Sequence, residues 1–349
     1  MKFAHEAYSV RAPFAVYADF EALVQPSERT RAESGHNSFE YESQVPCSVG
    51  YKIISTFRQF DKPNESHVSL DSVKWFIDEK KQFEKRAMDF YYDEKRMVLN
   101  PSAAVEHHFA TNCWICKEPF NPALNDKVAD HDHATGKYRG AAHSQCNLRL
   151  RRTCKIPIFF HNFRGYDGHF ITQALKHYTG EKINVIGQGM EKYLTLSLGK
   201  YLVFKDTLQF LSFSLQTLAD NMSKGGIEKF KHLKLQFPNT RDDLLKLLIR
   251  KGVYPYEYMD SMARFDEKQL PPKAAFFSKL TNSDIAEEDY AHAKKVWEKF
   301  NIKSMREYHN HYLKSKSIPS CNFTCWFSIF SFSHFHNWNP DYTSDFCSS

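Results

Sequence analysis

Two pairs of soft metal ligands, Cys113-Trp-Ile-Cys116 and His143-Ser-Gln-Cys146, share a two-residue gap, and Asp130-His131-Asp132-His133 lies between them. Zn²⁺ favours four Cys and His donors in a tetrahedron, and a two-residue gap lets one tight turn supply two of them. The bracketed acids and histidines, with Asn147 just after the last cysteine, stand where a second, harder metal ion would be held for hydrolysis. One CxxC says little. The whole constellation from Cys113 to Asn147 points to zinc and, beyond it, to a nuclease.

A second group of acids lies outside that segment. Asp19 and Glu21 are two apart in the apolar, β-rich run Phe14–Leu23. On a strand their side chains share one face, where they repel unless a cation or a raised pKa relieves them. Two-metal phosphodiester cleavage uses such a cluster, with two divalent ions held about 4 Å apart. The plainer alternative is an edge strand with a solvated polar face, against which Phe14, Val16, Phe20 and Leu23 argue. Asp167 follows a second apolar run, Ile156–Phe160, and is placed to complete the site. Its plainer role is to cap the helix that follows. Asn162 suits a base edge or a phosphate, and Phe163 and Tyr166 suit stacking on unpaired bases. Arg149, Arg151, Arg152 and Lys155 form a basic patch for phosphates or, alternatively, a solvated linker face.

Those groups need elements to position them. Phe14–Leu23, Val45–Ile54 and Ile156–Phe160 read as strands. A helical period from about Ser69 to Arg96 leads into the zinc segment. His161 to Phe170 reads as a strand-to-helix turn. Tyr193–Leu198 and Tyr201–Lys205, joined at Gly199-Lys200, read as a hairpin after a strand at Ile183–Ile186. From Asp206 to about Glu298 the pattern is mostly helical, clearest over 241–251. Residues 317–349 hold no Lys or Arg, six Phe, eight Ser and three Cys, a mixture that fits neither amphipathic period. The net charge of +6 suits nucleic acid without demanding it. Eight cysteines in 349 residues are too few for a disulfide scaffold, which suggests a reducing, intracellular compartment, nuclear or cytoplasmic. No apolar stretch is long enough to span a membrane.

In their order along the chain these segments resemble the exonuclease half of protein-primed family B DNA polymerases of viruses, linear plasmids and self-synthesising transposons. Asp19-Phe-Glu21 looks like the first exonuclease motif and Asn162–Phe170 like the second. The stretches from Lys205-Asp206-Thr207, from Gly252-Val-Tyr-Pro and from Asp289 to Lys314 resemble those leading to the third. The resemblance covers about residues 12–315, apart from the zinc segment. It implies an α/β, ribonuclease H-like 3′–5′ exonuclease domain over 12–100 and 155–315, with a helical C-terminal part. It also implies catalytic Asp19, Glu21, Asp167 and Tyr312, with Mg²⁺ or Mn²⁺ on the three acids. The implied partners are single-stranded DNA 3′ ends and, in full-length relatives, a terminal protein primer. A monomer is expected. The third motif is Tyr-x-x-x-Asp, and aligning it on Tyr312 places Lys316 where the Asp belongs. The polymerase palm would lie further on. The chain is therefore expected to be a fragment, truncated or from a mispredicted gene, with an aberrant or disordered tail over 316–349.

The zinc segment, over 101–154, resembles endonuclease VII, a recombination nuclease of the HNH type with a small ββα module. Asp130-His-Asp-His133, Thr135-Gly136, Arg139-Gly140 and Cys146-Asn147 follow that family's order. The resemblance implies structural Zn²⁺ on Cys113, Cys116, His143 and Cys146. It further implies Mg²⁺ on Asp130 and Asn147, His131 as the general base, and His133 as support for the phosphate or the turn. The alternatives to this Mg-dependent endonuclease are a zinc knuckle that only stabilises the insert or binds DNA, and a non-catalytic DNA-binding remnant.

Overall fold

The computed structural model describes residues 12–26, 42–150, 155–187, 193–250 and 252–327. The chain divides into two compact units. One comprises residues 15–80 and 157–326, and the other is built around 81–156.

The larger unit is organised on a mixed seven-stranded sheet. Its strands are β1 (Phe14–Pro26), β2 (Glu42–Ser55), β3 (Glu65–Val68), β6 (Ile156–Phe160), β7 (Ile183–Gly187), β8 (Tyr193–Leu198) and β9 (Leu202–Asp206). Their order is β3-β2-β1-β6-β9-β8-β7. β1 runs parallel to β6, Val16 opposite Ile158 and Tyr17 opposite Phe159. β2 with β3, β7 with β8 and β8 with β9 are antiparallel. β1 is buried continuously from Phe14 to Leu23, the signature of a strand covered on both faces. Phe20 stacks on Phe160 and meets Phe76 edge to face, while Tyr17 stacks on Phe159. Such pairs add to the burial energy of the rings and fix their register.

Helix α1 (Ser72–Tyr92) leaves this unit, and α4 (Asp167–Leu175) follows β6. After β9 come α5 (Leu215–Ser223), α6 (Lys231–Gln236), α7 (Asp242–Ile249), α8 (Glu287–Lys299) and α9 (Met305–Phe327). Tyr254, Phe265, Tyr308 and Tyr312 are prominent in the core shared by these helices and loops, together with Leu23 of β1 and Cys47 of β2. α9 runs through Lys316 to Phe327, so the pattern expected to fail at Lys316 continues as helix for eleven residues. Residues 328–349 lie outside the described residues.

The smaller unit holds α2 (Pro101–Phe109), the antiparallel pair β4 (Lys127–His131) and β5 (Tyr138–His143), and the short helix α3 (Ser144–Arg149). The β4–β5 turn is self-capped. Asp132 Oδ1 accepts from the backbone N–H of Ala134 at 2.9 Å and of Thr135 at 3.0 Å. Gly136 then takes φ +74°, and a Cβ there would lie 2.4 Å from the Arg96 carbonyl oxygen, so only glycine fits.

Candidate metal centres

The first candidate centre is in the larger unit. Asp19 and Glu21 project from the middle of β1 and are almost wholly buried, at 8% and 2% exposure. Asp167 opens α4 and is as deeply buried. It does not cap the helix, whose N-cap is Tyr166 and has no side-chain cap bond. Instead Asp167 Oδ1 accepts the N–H of Phe20, between the two strand acids, at 3.0 Å. The chain thus sets Asp167 against β1 between the two strand acids, within reach of the charge of Asp19. Burial, and then the charge of Asp19, hold the Asp167 carboxyl well above the usual carboxylate range.

A cation is nevertheless present. Lys316 Nζ lies 2.8 Å from Asp19 Oδ2 and 2.8 Å from Glu21 Oε1. Burial disfavours its charge, but Asp19 and Glu21, followed by Tyr312 and Tyr256, outweigh that and hold it well above the ordinary lysine value. Tyr312, one turn earlier on α9, is buried, and its hydroxyl is hydrogen-bonded to that of Tyr256. Gly252 permits this: a Cβ there would fall 2.5 Å from the Tyr312 ring.

The turn between β6 and α4 depends on a residue whose role the sequence did not disclose. Asp206, fully buried at the end of β9, accepts the N–H of Asn162 at 2.9 Å and of Arg164 at 3.1 Å. It also pairs with the Arg164 side chain at 3.2 Å. The signal was an acid directly after an apolar strand, in Lys205-Asp206-Thr207. Asn162 itself has φ +68° and is exposed. Tyr166 is half-buried, edge-on to Phe170. The stacking role expected of Phe163 is corrected: the ring is fully buried between Phe160 and Phe204 and offers no face to a base.

The second candidate centre is in the smaller unit. Donor atoms of Cys113, Cys116, His143 and Cys146 all lie within 4.8 Å of one another. The Cys113–Cys116 knuckle closes by Lys117 N–H to Cys113 O and Cys113 N–H to Glu118 O, both 2.9 Å, with Lys117 at φ +67°. His143 Nε2 lies 3.2 Å from the Pro119 carbonyl, to which it can donate. That leaves Nδ1 as the bare nitrogen, 3.4 Å from Cys116 Sγ and 3.7 Å from Cys146 Sγ, the outer-shell arrangement common for metal-bound histidine. Burial raises the Cys113 thiol, but donation from the backbone N–H of Cys116, His143 and Ile115 outweighs it and brings the thiol down to about 7. Three sulfurs and one imidazole in this array fit Zn²⁺ and little else common. Cys47, Cys113, Cys116 and Cys146 are free thiols.

Beside that cluster Asp130 is buried, and both its oxygens are engaged. Arg139 Nε donates to Oδ2 and Nη2 to Oδ1, each at 2.9 Å, and Trp114 Nε1 donates to Oδ2 at 3.0 Å. The carboxylate expected to hold Mg²⁺ thus faces a guanidinium, and an ion at Asp130 requires Arg139 to release it. Trp114 is pressed against Gly140, where a Cβ would lie 2.7 Å from its side chain. His131 and His133 stack at 4.4 Å between centroids, and His133 Nδ1 is 3.8 Å from Glu94 Oε1. Asn147 is half-buried on α3, and Arg149 is exposed at its end. Arg151 and Arg152 lie outside the described residues.

The family model for recombination endonuclease VII matches residues 94–166. That match spans every residue of the second centre and supports a nuclease-like insert. Comparison with curated proteins found no match, and comparison with solved structures found none. Among the described residues no helix is long and apolar enough to cross a membrane.

Proposed function

We propose that this chain is a DNA-processing protein built on the 3′–5′ exonuclease half of a protein-primed family B DNA polymerase, with an endonuclease VII-like zinc module inserted in it. The observation that carries this reading is that Asp19, Glu21 and Asp167 are all buried, with Asp167 bonded to β1 between the other two, where β1 and β6 run parallel. Burying three carboxylates is costly, and that cost is offset where they serve a function. They suit the handling of a phosphodiester through divalent ions. The central strand order β3-β2-β1-β6-β9 fits a ribonuclease H-like domain. Asn162 and Tyr166 stand on the turn that opens α4 and would meet a 3′ end. Arg149, Arg151 and Arg152 would hold phosphates. In a full-length relative, the partner would be a terminal protein primer.

The test is binding of a labelled single-stranded oligonucleotide with a free 3′ end, by anisotropy at increasing salt. Affinity should fall with salt, and Arg149→Ala with Arg151→Ala and Arg152→Ala should weaken it and flatten the slope, since each lost phosphate contact removes about one released counterion. Absence of binding at low salt would sink the reading.

A second reading is favoured by the zinc-ligand array and by the match over 94–166: a Mg²⁺- or Mn²⁺-dependent, structure-specific endonuclease. His131 would take a proton from water, and Asp130 with Asn147 would hold the ion once Arg139 has turned away. Nicking of branched DNA that disappears in His131→Ala, at unchanged zinc content, is the expected result. Nicking that survives that substitution, or none at all, leaves the module as a zinc-stapled DNA-binding element.

A further inference from the structure

The carboxylate cluster of the larger unit contains a cation that belongs to the chain itself. Lys316 Nζ bridges Asp19 and Glu21 at 2.8 Å to each, as a divalent ion would bridge the same two oxygens. This is not an ordinary surface pair. The side chains of Asp19 and Glu21 are 11% and 3% exposed, and that of Lys316 is 28% exposed. Solvent therefore screens these contacts poorly, and either acid without a counter-charge would be a buried, unpaired anion. The lysine is also held from behind. It sits one turn after Tyr312 on α9, with Nζ 5.9 Å from that ring's centroid, and Tyr312 is tied to Tyr256 by their hydroxyls. Asp167, the third acid, is held well above the usual carboxylate range by its burial and by the charge of Asp19, against the donation from the N–H of Phe20.

We propose that the Lys316 ammonium occupies the place of the divalent ion, so that the middle of α9 acts as a built-in plug and the cluster takes no metal while Lys316 is seated. An ion entering between Asp19 and Glu21 would meet a like charge at contact distance, and the displaced ammonium would lose both its partners. Substituting Lys316 should open a divalent site that the unaltered chain does not offer. The inference rests on reading the cluster as an exonuclease-type centre, but its test measures metal, not DNA, so either idea can fail without the other.

The experiment is Mn²⁺ binding by electron paramagnetic resonance on the full, zinc-loaded chain, with Asp130→Asn present throughout to silence the other carboxylate candidate. Tb³⁺ luminescence, sensitised by Tyr256 and Tyr312, is the second readout. Lys316→Ala is the opening variant. Lys316→Met, which keeps length and packing but not charge, covers the case in which the alanine variant does not fold. Expected is no stoichiometric Mn²⁺ in the Lys316 protein, and one Mn²⁺ bound at least about tenfold more tightly in the folded variant, since affinity follows the uncompensated ligand charge. The gained ion should be lost again on Asp19→Asn, and tyrosine-sensitised Tb³⁺ emission should follow the same pattern. Stoichiometric binding by the Lys316 protein that is abolished by Asp19→Asn overturns the proposal. So does a folded Lys316→Met chain that binds no better than its parent.

Discussion

Gly252 shows how closely single residues are set around the first centre. A methyl group there would meet Cδ2 of Tyr312 at 2.5 Å and Cε2 at 2.8 Å, contacts that no relaxation of the methyl itself can relieve. Gly252→Ala should therefore displace the Tyr312 ring and cost about 1–3 kcal/mol, the usual penalty for overpacking a filled core. Urea unfolding of Gly252→Ala, Tyr312→Ala and the double variant checks this. The double variant should lose clearly less than the two single losses combined, because the clash needs both partners, and simple additivity would remove the contact from the account. At this scale much was legible in sequence. The two-residue gaps announced the zinc donors, and the i, i+2 spacing put Asp19 and Glu21 on one face. What stayed hidden was the cation partner of Asp130. Arg139 is nine residues from Asp130, across a hairpin whose register shifts between Asp130 and His131, and spacing alone cannot say that their side chains meet. Nor could sequence show that the Phe163 ring would turn inward.

The elements carry their own constraint, clearest where α9 meets β2. His309 is fully buried, with Nε2 2.6 Å from Ser48 Oγ on β2 and Nδ1 2.6 Å from the Tyr254 hydroxyl. Burial, helped by the nearby charges of Arg306 and Lys316, pulls its pKa down to about 3. His311, further along α9, is lowered to about 4 by burial and by Lys314. A histidine depressed in the folded state contributes stability that is complete above its unfolded value, near 6.5, and is lost as pH falls toward the folded value. Asp167, raised by burial, works in the opposite direction over part of the same range, so a difference measurement is needed. Between pH 6.5 and 4 the parent should lose about 3 kcal/mol more unfolding free energy than His309→Gln, at about 1.4 kcal/mol per pH unit for one proton. Parallel pH profiles for the two proteins would show that the ring is not held neutral. β1 and β6 were readable as continuous apolar runs and the β8–β9 hairpin from Gly199, whereas the short β3 was not read. α9 past Lys316 was not. Its composition there lacks any amphipathic period, and the helix instead continues from a segment pinned by Tyr308, His309, Tyr312 and Lys316.

At the scale of the whole molecule the two compact units differ in what holds them. The larger has an extensive apolar core: stacked phenylalanines on the central strands, and the aromatic cluster around Tyr254, Phe265 and Tyr312. The core of the zinc-ligand hairpins is small. Its clustered buried residues are Cys113, Ile115, Ala142 and Cys146, two of them among the four candidate ligands. A core of that size cannot offset the entropy of ordering its loops, so metal binding must supply the difference. Each candidate acid centre is also quenched by a basic side chain of its own unit, Lys316 on Asp19 and Glu21, and Arg139 on Asp130. Loss of zinc should leave these two pairings with different fates. Trp114 lies between Cys113 and Ile115 and donates to Asp130, so collapse of the knuckle releases Asp130, whereas the pairing of Lys316 with Asp19 and Glu21 uses no residue of the zinc array. We expect calorimetry of the zinc-loaded chain, repeated with a zinc-selective chelator, to lose the transition of the smaller unit and to keep that of the larger within a few degrees. Cys146→Ser should reproduce the chelated trace in the presence of zinc. A single transition that shifts as a whole on chelation would mean that the zinc array stabilises the entire chain, and the two units would then have to be treated as one cooperative body.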